Sequence, residues 1–404
     1  MAVPGGYRDA SHVGLKEPAN LSRRNAHGVV AVAALVAALL TTTGLAAPPN
    51  AAVASSVRLK AVIIVGPTHD LTAQNLDDGE QLAEAAEGYG MDVRRVLFPN
   101  ATWANVLANV QGANLVIYLG HGYGWPSPYP PFREKFQNGV GLDPYAGASR
   151  SDVDYHGGKQ IRDNWHLAPN AVVFLGHLCY AAGQSESGMG VPAWSIAQQR
   201  VDNMASAYLY AGAGAVFAFS LQSFQKTVQL LLTTDQTVDQ IFRTPGTQSH
   251  SYYGWIGSDP RYFDSVRTPG ARNLIDPDLS SAAVYERAVT GNLLMTGGQW
   301  RGDEAGAWSA PAFQSSPPTP QGLAVKAYAG RVVKLTWESV SVNYFGGATY
   351  NVFRNGKAIA KVGGATSFTD RPPKTGIYRY QVRALDPVRA KSPLSTLMSV
   401  QVLP

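Results

Sequence analysis

A single cysteine, Cys179, occurs among 404 residues. One thiol cannot close an internal disulfide, so the chain must be held together by its hydrophobic cores. Charge is also scarce. Asp, Glu, Lys and Arg make up 15% of the chain and the formal net charge is only +5. No dense Lys/Arg stripe is present, which excludes nucleic acid as an expected partner. Long apolar runs are missing apart from residues 29–40, and that run is short for a bilayer span. With no second cysteine and no His-x-x-x-His spacing, no metal site is expected, and no motif asks for a cofactor.

What is present begins with a leader. Residues 1–54 carry Arg23 and Arg24 as a positive n-region, the apolar run 29–40, and Ala52-Val53-Ala54 as a small-x-small cleavage signal. The expected product is secreted or held at the cell surface. On this reading a membrane is involved only through an uncleaved leader.

From Arg58 short Val/Ile/Leu runs alternate with amphipathic segments. "LKAVIIVG", "MDVRRVLF", "NLVIYLGHG", "NAVVFLGHLC" and "AGAVFAFS" read as strands. "TAQNLDDGEQLAEAAEGYG", "TWANVLANVQGA" and "VPAWSIAQQRVDNMASAYLYAG" read as helices between them. Continuous apolar strands alternating with helices predict an α/β domain over 57–310, with a mostly parallel sheet covered on both faces. Residues 125–169 read as one long loop walling a cleft, "SYYGWIGSDPRYF" as loop, and "SSAAVYERAVTGNLLM" as a closing helix. A proline-rich linker spans 311–322. Beyond it, over 323–404, short alternating strands separated by turn residues predict an antiparallel sandwich.

Ligands of such α/β sheets bind outside the carboxyl ends of the strands. Those ends carry His69-Asp70, His121-Gly122 and His177 with Cys179. A cysteine nucleophile needs a base and donors for the oxyanion it creates. Two side chains leaving the tips of neighbouring strands, about 5 Å apart, can meet. His121 is the candidate base and Cys179 the nucleophile. The backbone N–H groups of Gly122 and Cys179 are the candidate oxyanion donors. His69, Asp70 and His177 are candidate substrate contacts, with Asp70 able to face a basic substrate side chain. Arg200, Asp202 and Asn203 read as surface or packing residues.

The strings "LVIYLGHG", "VVFLGHLC" and "YAGAGAVFAFS" resemble the caspase-like cysteine peptidases, which include caspases, legumain, gingipains, clostripain and CHAT-domain proteases. The resemblance implies a three-layer caspase-like domain, a His121–Cys179 dyad and a peptide or protein substrate. His177 departs from the pattern, since the related proteases place a small or acidic residue there. Over 316–404, "LTW", "YNVFRNG" and "YRYQVRA" resemble a fibronectin type III module of the immunoglobulin-like class. That implies a spacer or a binder of an extracellular polymer or surface partner. A second reading is a non-catalytic extracellular binding protein with a degenerate peptidase-like domain. An α/β-hydrolase esterase would need G-x-S-x-G, and "GQSESG" has the wrong spacing.

Overall fold

The computed structural model describes residues 58–176, 178–186, 188–219, 224–244, 260–277 and 285–404. The leader at 1–54 and His177 lie outside the described residues. In chain order the first unit contains β1 (Lys60–Val65), α1 (Thr72–Gly88), β2 (Asp92–Leu97), α2 (Trp103–Val110) and β3 (Leu115–Leu119). There follow β4 (Gly122–Tyr123), β5 (Gly139–Leu142), β6 (Asp154–His156), α3 (Gly158–Asn164) and β7 (Ala171–Gly176). Next come α4 (Trp194–Tyr210), β8 (Ala213–Phe219), α5 (Phe224–Thr233) and α6 (Val238–Arg243). The unit closes with β9 (Arg261–Asp264), β10 (Arg272–Ile275), β11 (Arg287–Gly291) and α7 (Gly297–Arg301).

A large mixed sheet organises these elements in the order β2-β1-β3-β7-β8-β11-β10-β9. The first five strands pair parallel. The other three join antiparallel, so five of the eight strands form the parallel part of a mixed sheet. Alternate residues of the parallel strands feed two separate cores. Val62, Ile64, Val116, Tyr118, Val173 and Leu175 pack with α2 and α4 residues such as Val106, Val110, Val201 and Met204. Ile63, Val65, Ile117, Leu119, Val172 and Phe174 pack with α1, α5 and α6 residues such as Leu82, Leu231 and Phe242. Burial on both faces is why these strands are continuous apolar runs in the sequence.

Register sets the row on which a site can form. Val65 pairs with Leu119, Leu119 with Gly176, and Gly176 with Phe219. Four parallel strands therefore end level, and His121 and Cys179 follow their strands by two and three residues.

Three sequence expectations fail here. The stretch 125–169 is not one loop. It contributes β5 and β6 to a small antiparallel sheet in the order β4-β5-β6, and it holds α3. That sheet is built on glycine and tyrosine rather than Val/Ile runs, because Gly139 lies against the His156 carbonyl, where a Cβ would sit 1.9 Å away. The helix expected around 280–295 is in part the strand β11. Its polar groups are satisfied across the sheet, Arg287 by Asp276 at 2.7 Å and Thr290 by Asn273 at 2.7 Å. Residues 261–264, expected as loop, form the edge strand β9, where partial exposure removes the apolar signal.

The C-terminal strands form a sandwich. One sheet has the order β12 (Ala324–Tyr328), β13 (Val332–Thr336) and β16 (Ser367–Asp370). The other has β15 (Lys357–Gly363), β14 (Thr349–Arg354), β17 (Gly376–Leu385) and β18 (Met398–Val402). Val333, Leu335, Trp337, Tyr350, Val352, Tyr380 and Val382 fill the space between the sheets. The segment entering it is anchored. Trp308 N–H donates to Asn170 at 2.9 Å, and the Phe313 ring lies under the Arg162 guanidinium at 3.7 Å and edge-on to Tyr210.

Candidate functional site

The strand end carrying His121 is pinned from below. The Tyr118 hydroxyl lies 2.7 Å from the Gly141 carbonyl and 3.0 Å from that of His121, and it accepts from Gly141 N–H. Gly141 N–H also donates to the His121 carbonyl at 3.0 Å. A Cβ on Gly141 would stand 3.2 Å from that of His121. The small sheet thus holds the His121 backbone against the tip of the large one.

Gly122 explains itself at this point. A Cβ there would lie 2.6 Å from the Cys179 carbonyl oxygen and 2.6 Å from Leu178 Cγ. The chain that follows His121 therefore passes directly over the chain that carries Cys179, at a distance only glycine allows. One residue further on the same crossing repeats, because a Cβ on Gly124 would sit 2.3 Å from Tyr180 Cβ. The two strand ends are knitted together through backbone.

Beyond Cys179, Tyr180 adopts a left-handed φ of 72°, a conformation that costs a bulky residue energy and persists only where its surroundings hold it. The holders are visible. Its hydroxyl donates to Glu186, and the Arg200 guanidinium lies over its ring at 4.7 Å. Arg200, in α4, donates to the carbonyls of Pro126, Gly183 and Gln184 and to Ser185. Asn203 one turn on reaches the Trp125 carbonyl at 2.9 Å. Arg200, Asp202 and Asn203 are all buried, so none is the surface residue the sequence allowed. Asp202 instead fixes the loop after β9, through Ser265 and the N–H groups of Val266 and Arg267.

The electrostatics of the pair are those of two neutral groups. Burial pushes the Cys179 thiol up to about 11, with the Glu186 carboxylate adding to the effect. Burial lowers His121 to about 4, His69 adds to this and Glu186 opposes it. His121 Nε2 is buried and has no hydrogen-bond partner among the described residues. A buried polar atom of that kind is met by a bound water or by a reacting group.

Of the other candidates, His69 is brought in. It has a left-handed φ of 52°, its ring meets that of His121 edge-on at 5.0 Å, and its N–H donates to the Arg150 carbonyl. Asp70 is not brought in. Its side chain is 93% exposed and faces Arg150 at 3.2 Å. Glu186, Tyr155 and Tyr129 were missed by sequence reasoning. Glu186 accepts from Tyr129 at 3.1 Å as well as from Tyr180, and Tyr123 packs edge-on against both Tyr129 and Tyr155. The run of tyrosines at 123, 129 and 155 was the available signal.

No protein family and no curated protein matches the chain. Among solved structures it is similar to the Clostridium perfringens spore cortex lytic enzyme SleM, at 16% identity and a TM-score of 0.19, covering 29% of this chain and 33% of that one. It is also similar to the fibronectin type III domain of human fibronectin type III domain containing protein 3, at 17% identity and a TM-score of 0.20. That match covers 23% of this chain and 92% of the human domain. A Yersinia enterocolitica family 28 exopolygalacturonase is matched at 19% identity and a TM-score of 0.19, over 21% of this chain and 20% of that one. The chain spans a third or less of the two enzymes it matches. Likenesses at these scores carry no argument about the site.

Proposed function

We propose that the chain is a secreted cysteine endopeptidase of the caspase-like kind, with Cys179 as nucleophile, His121 as base and a fibronectin type III module at its C-terminal end. The observation that carries this reading is the crossing of Gly122 over the Cys179 backbone, which brings together the chain that carries His121, whose buried Nε2 has no partner among the described residues, and the chain that carries the molecule's one thiol. The strand order of the sandwich, three strands facing four, supports the module assignment.

Both groups are neutral at pH 7, so the reaction begins from thiol and imidazole rather than from a preformed ion pair. As substrate enters, His121 takes the Cys179 proton while sulfur attacks the scissile carbonyl carbon. The carbonyl oxygen becomes an oxyanion facing the Gly122 and Cys179 N–H groups. Collapse breaks the C–N bond, and the imidazolium gives its proton to the leaving amine. Water, deprotonated by His121, then hydrolyses the thioester and returns the proton to sulfur. His69, edge-on to His121, orients that ring. Digestion of a peptide library by the mature chain, with Cys179→Ser beside it, tests this. Cleavage lost in the variant is expected, and cleavage unchanged would end the proposal.

A second reading, an extracellular binding protein with an inert thiol, is favoured by one observation: burial holds Cys179 as the neutral thiol. It requires that Cys179 forms neither an acyl-thioester with an activated ester nor a thiohemiacetal with a peptide aldehyde. Export is tested by N-terminal sequencing of protein from the culture medium, where a start just after Ala54 is expected.

A further inference from the structure

The segment 124–138 joins β4 to β5 and begins against Tyr180, the residue after Cys179, and its far side is fastened by charge. Glu134 accepts from Arg162 at 3.0 Å and from Arg267 at 2.7 Å, and the Arg267 side chain is only 2% exposed. Arg162 is also paired with Asp163 at 3.3 Å, so the guanidinium that keeps spare donors in a dry place is that of Arg267. Arg267 Nε and Nη1 have no hydrogen-bond partner among the described residues. Such a charge is costly unless something faces it.

What faces it comes from the sandwich. Tyr344, between β13 and β14, lays its ring 3.8 Å from the Arg267 guanidinium carbon and holds its hydroxyl 3.4 Å from both Glu134 oxygens. Asp386, buried just past β17, acts electrostatically on the same Arg267. A negative ring face and a carboxylate thus meet the buried Arg267 guanidinium. The contact then continues toward Cys179. Tyr344 meets Phe132 edge-on at 6.4 Å, Phe132 stacks on Trp125 at 5.6 Å, and Trp125 N–H and carbonyl are held by Asn138 and Asn203. Gly124, the residue before Trp125, lies against Tyr180 beside the thiol.

We propose that the C-terminal sandwich is a structural support of the proposed site, and that Tyr344 is a positioning residue that holds the 124–138 wall beside Cys179. Only the catalytic consequence rests on the peptidase reading; the docking stands without it.

The test compares the full mature chain with Tyr344→Ala, Tyr344→Phe and Val402→Ala, the last trimming the sandwich core on β18. The readouts are hydrogen exchange of residues 124–138 and the rate of iodoacetamide alkylation of Cys179. Tyr344→Ala is expected to speed wall exchange about tenfold and alkylation about fivefold, by raising the population of the open wall. Tyr344→Phe keeps the ring on Arg267 and stays within about twofold of wild type on both. Val402→Ala lowers the melting temperature but leaves both rates unchanged. The proposal is overturned if Tyr344→Ala matches wild type, or if Val402→Ala opens the wall as much as Tyr344→Ala does. Both readouts are independent of peptide cleavage, so failure of the peptidase reading leaves this result interpretable.

Discussion

At the scale of single residues, the site is defined by two groups that burial keeps neutral. With the thiol near 11, the thiolate fraction at pH 7 is on the order of 10⁻⁴, so alkylation of Cys179 should climb about tenfold per pH unit from 7 to 10. A rate already flat below pH 8 would show a preformed ion pair and contradict this. His121 carries a linked prediction for stability. Unfolded, a histidine gains its proton near pH 6.5, whereas the buried ring resists until about pH 4. Between those values the unfolded state binds the extra proton, so stability falls as pH drops. At pH 4.5 this residue alone should cost about 2 kcal/mol relative to pH 7. Urea unfolding at the two pH values should show that loss in wild type and not in His121→Asn; equal losses would assign it to other groups. The places of His121 and Cys179 just past strand ends were legible in the sequence because each follows an apolar run that ends abruptly. Glu186 was not, since a carboxylate in a small-residue loop leaves no periodic trace, and only the fold carries it back to Tyr129 and Tyr180.

At the scale of elements, the strands that carry the site were legible for the same reason that they are stable. β1, β3, β7 and β8 are buried on both faces and so are written as unbroken Val/Ile/Leu/Phe/Ala runs. The small sheet β4-β5-β6 escaped notice because its close approaches demand glycine, which reads as loop. Two substitutions probe how the elements are joined. Gly122→Ala forces a methyl to 2.6 Å from the Cys179 carbonyl and should destabilise the chain by about 1–3 kcal/mol in urea unfolding, as overpacking does. An unaltered midpoint would mean the crossing is looser than described. Arg200→Met removes the donors shared by the Pro126, Gly183 and Gln184 carbonyls. It should cost about 2–4 kcal/mol and expose the 179–186 turn to limited proteolysis. Resistance equal to wild type would count against Arg200 as the clamp of both loops.

At the scale of the whole molecule, residues 57–404 form one compact unit. The proline-rich stretch reads as a linker in the sequence, and nothing in it marks an anchored segment. Composition gives no sign that Phe313 will pack on Arg162 or that Tyr344 will cover Arg267. Calorimetry of the chain should accordingly show one cooperative transition, and two well-separated ones would contradict a docked sandwich. The central claim remains chemical, that His121 and Cys179 act together on a carbonyl. It is met most directly by intact-mass measurement after adding a peptide aldehyde or activated ester to wild type, Cys179→Ser and His121→Ala. The account predicts a single adduct on wild type, none on Cys179→Ser, and formation slowed about a hundredfold or more in His121→Ala. Adduct formation that ignores the loss of His121, or no adduct on Cys179 at any pH, would contradict it.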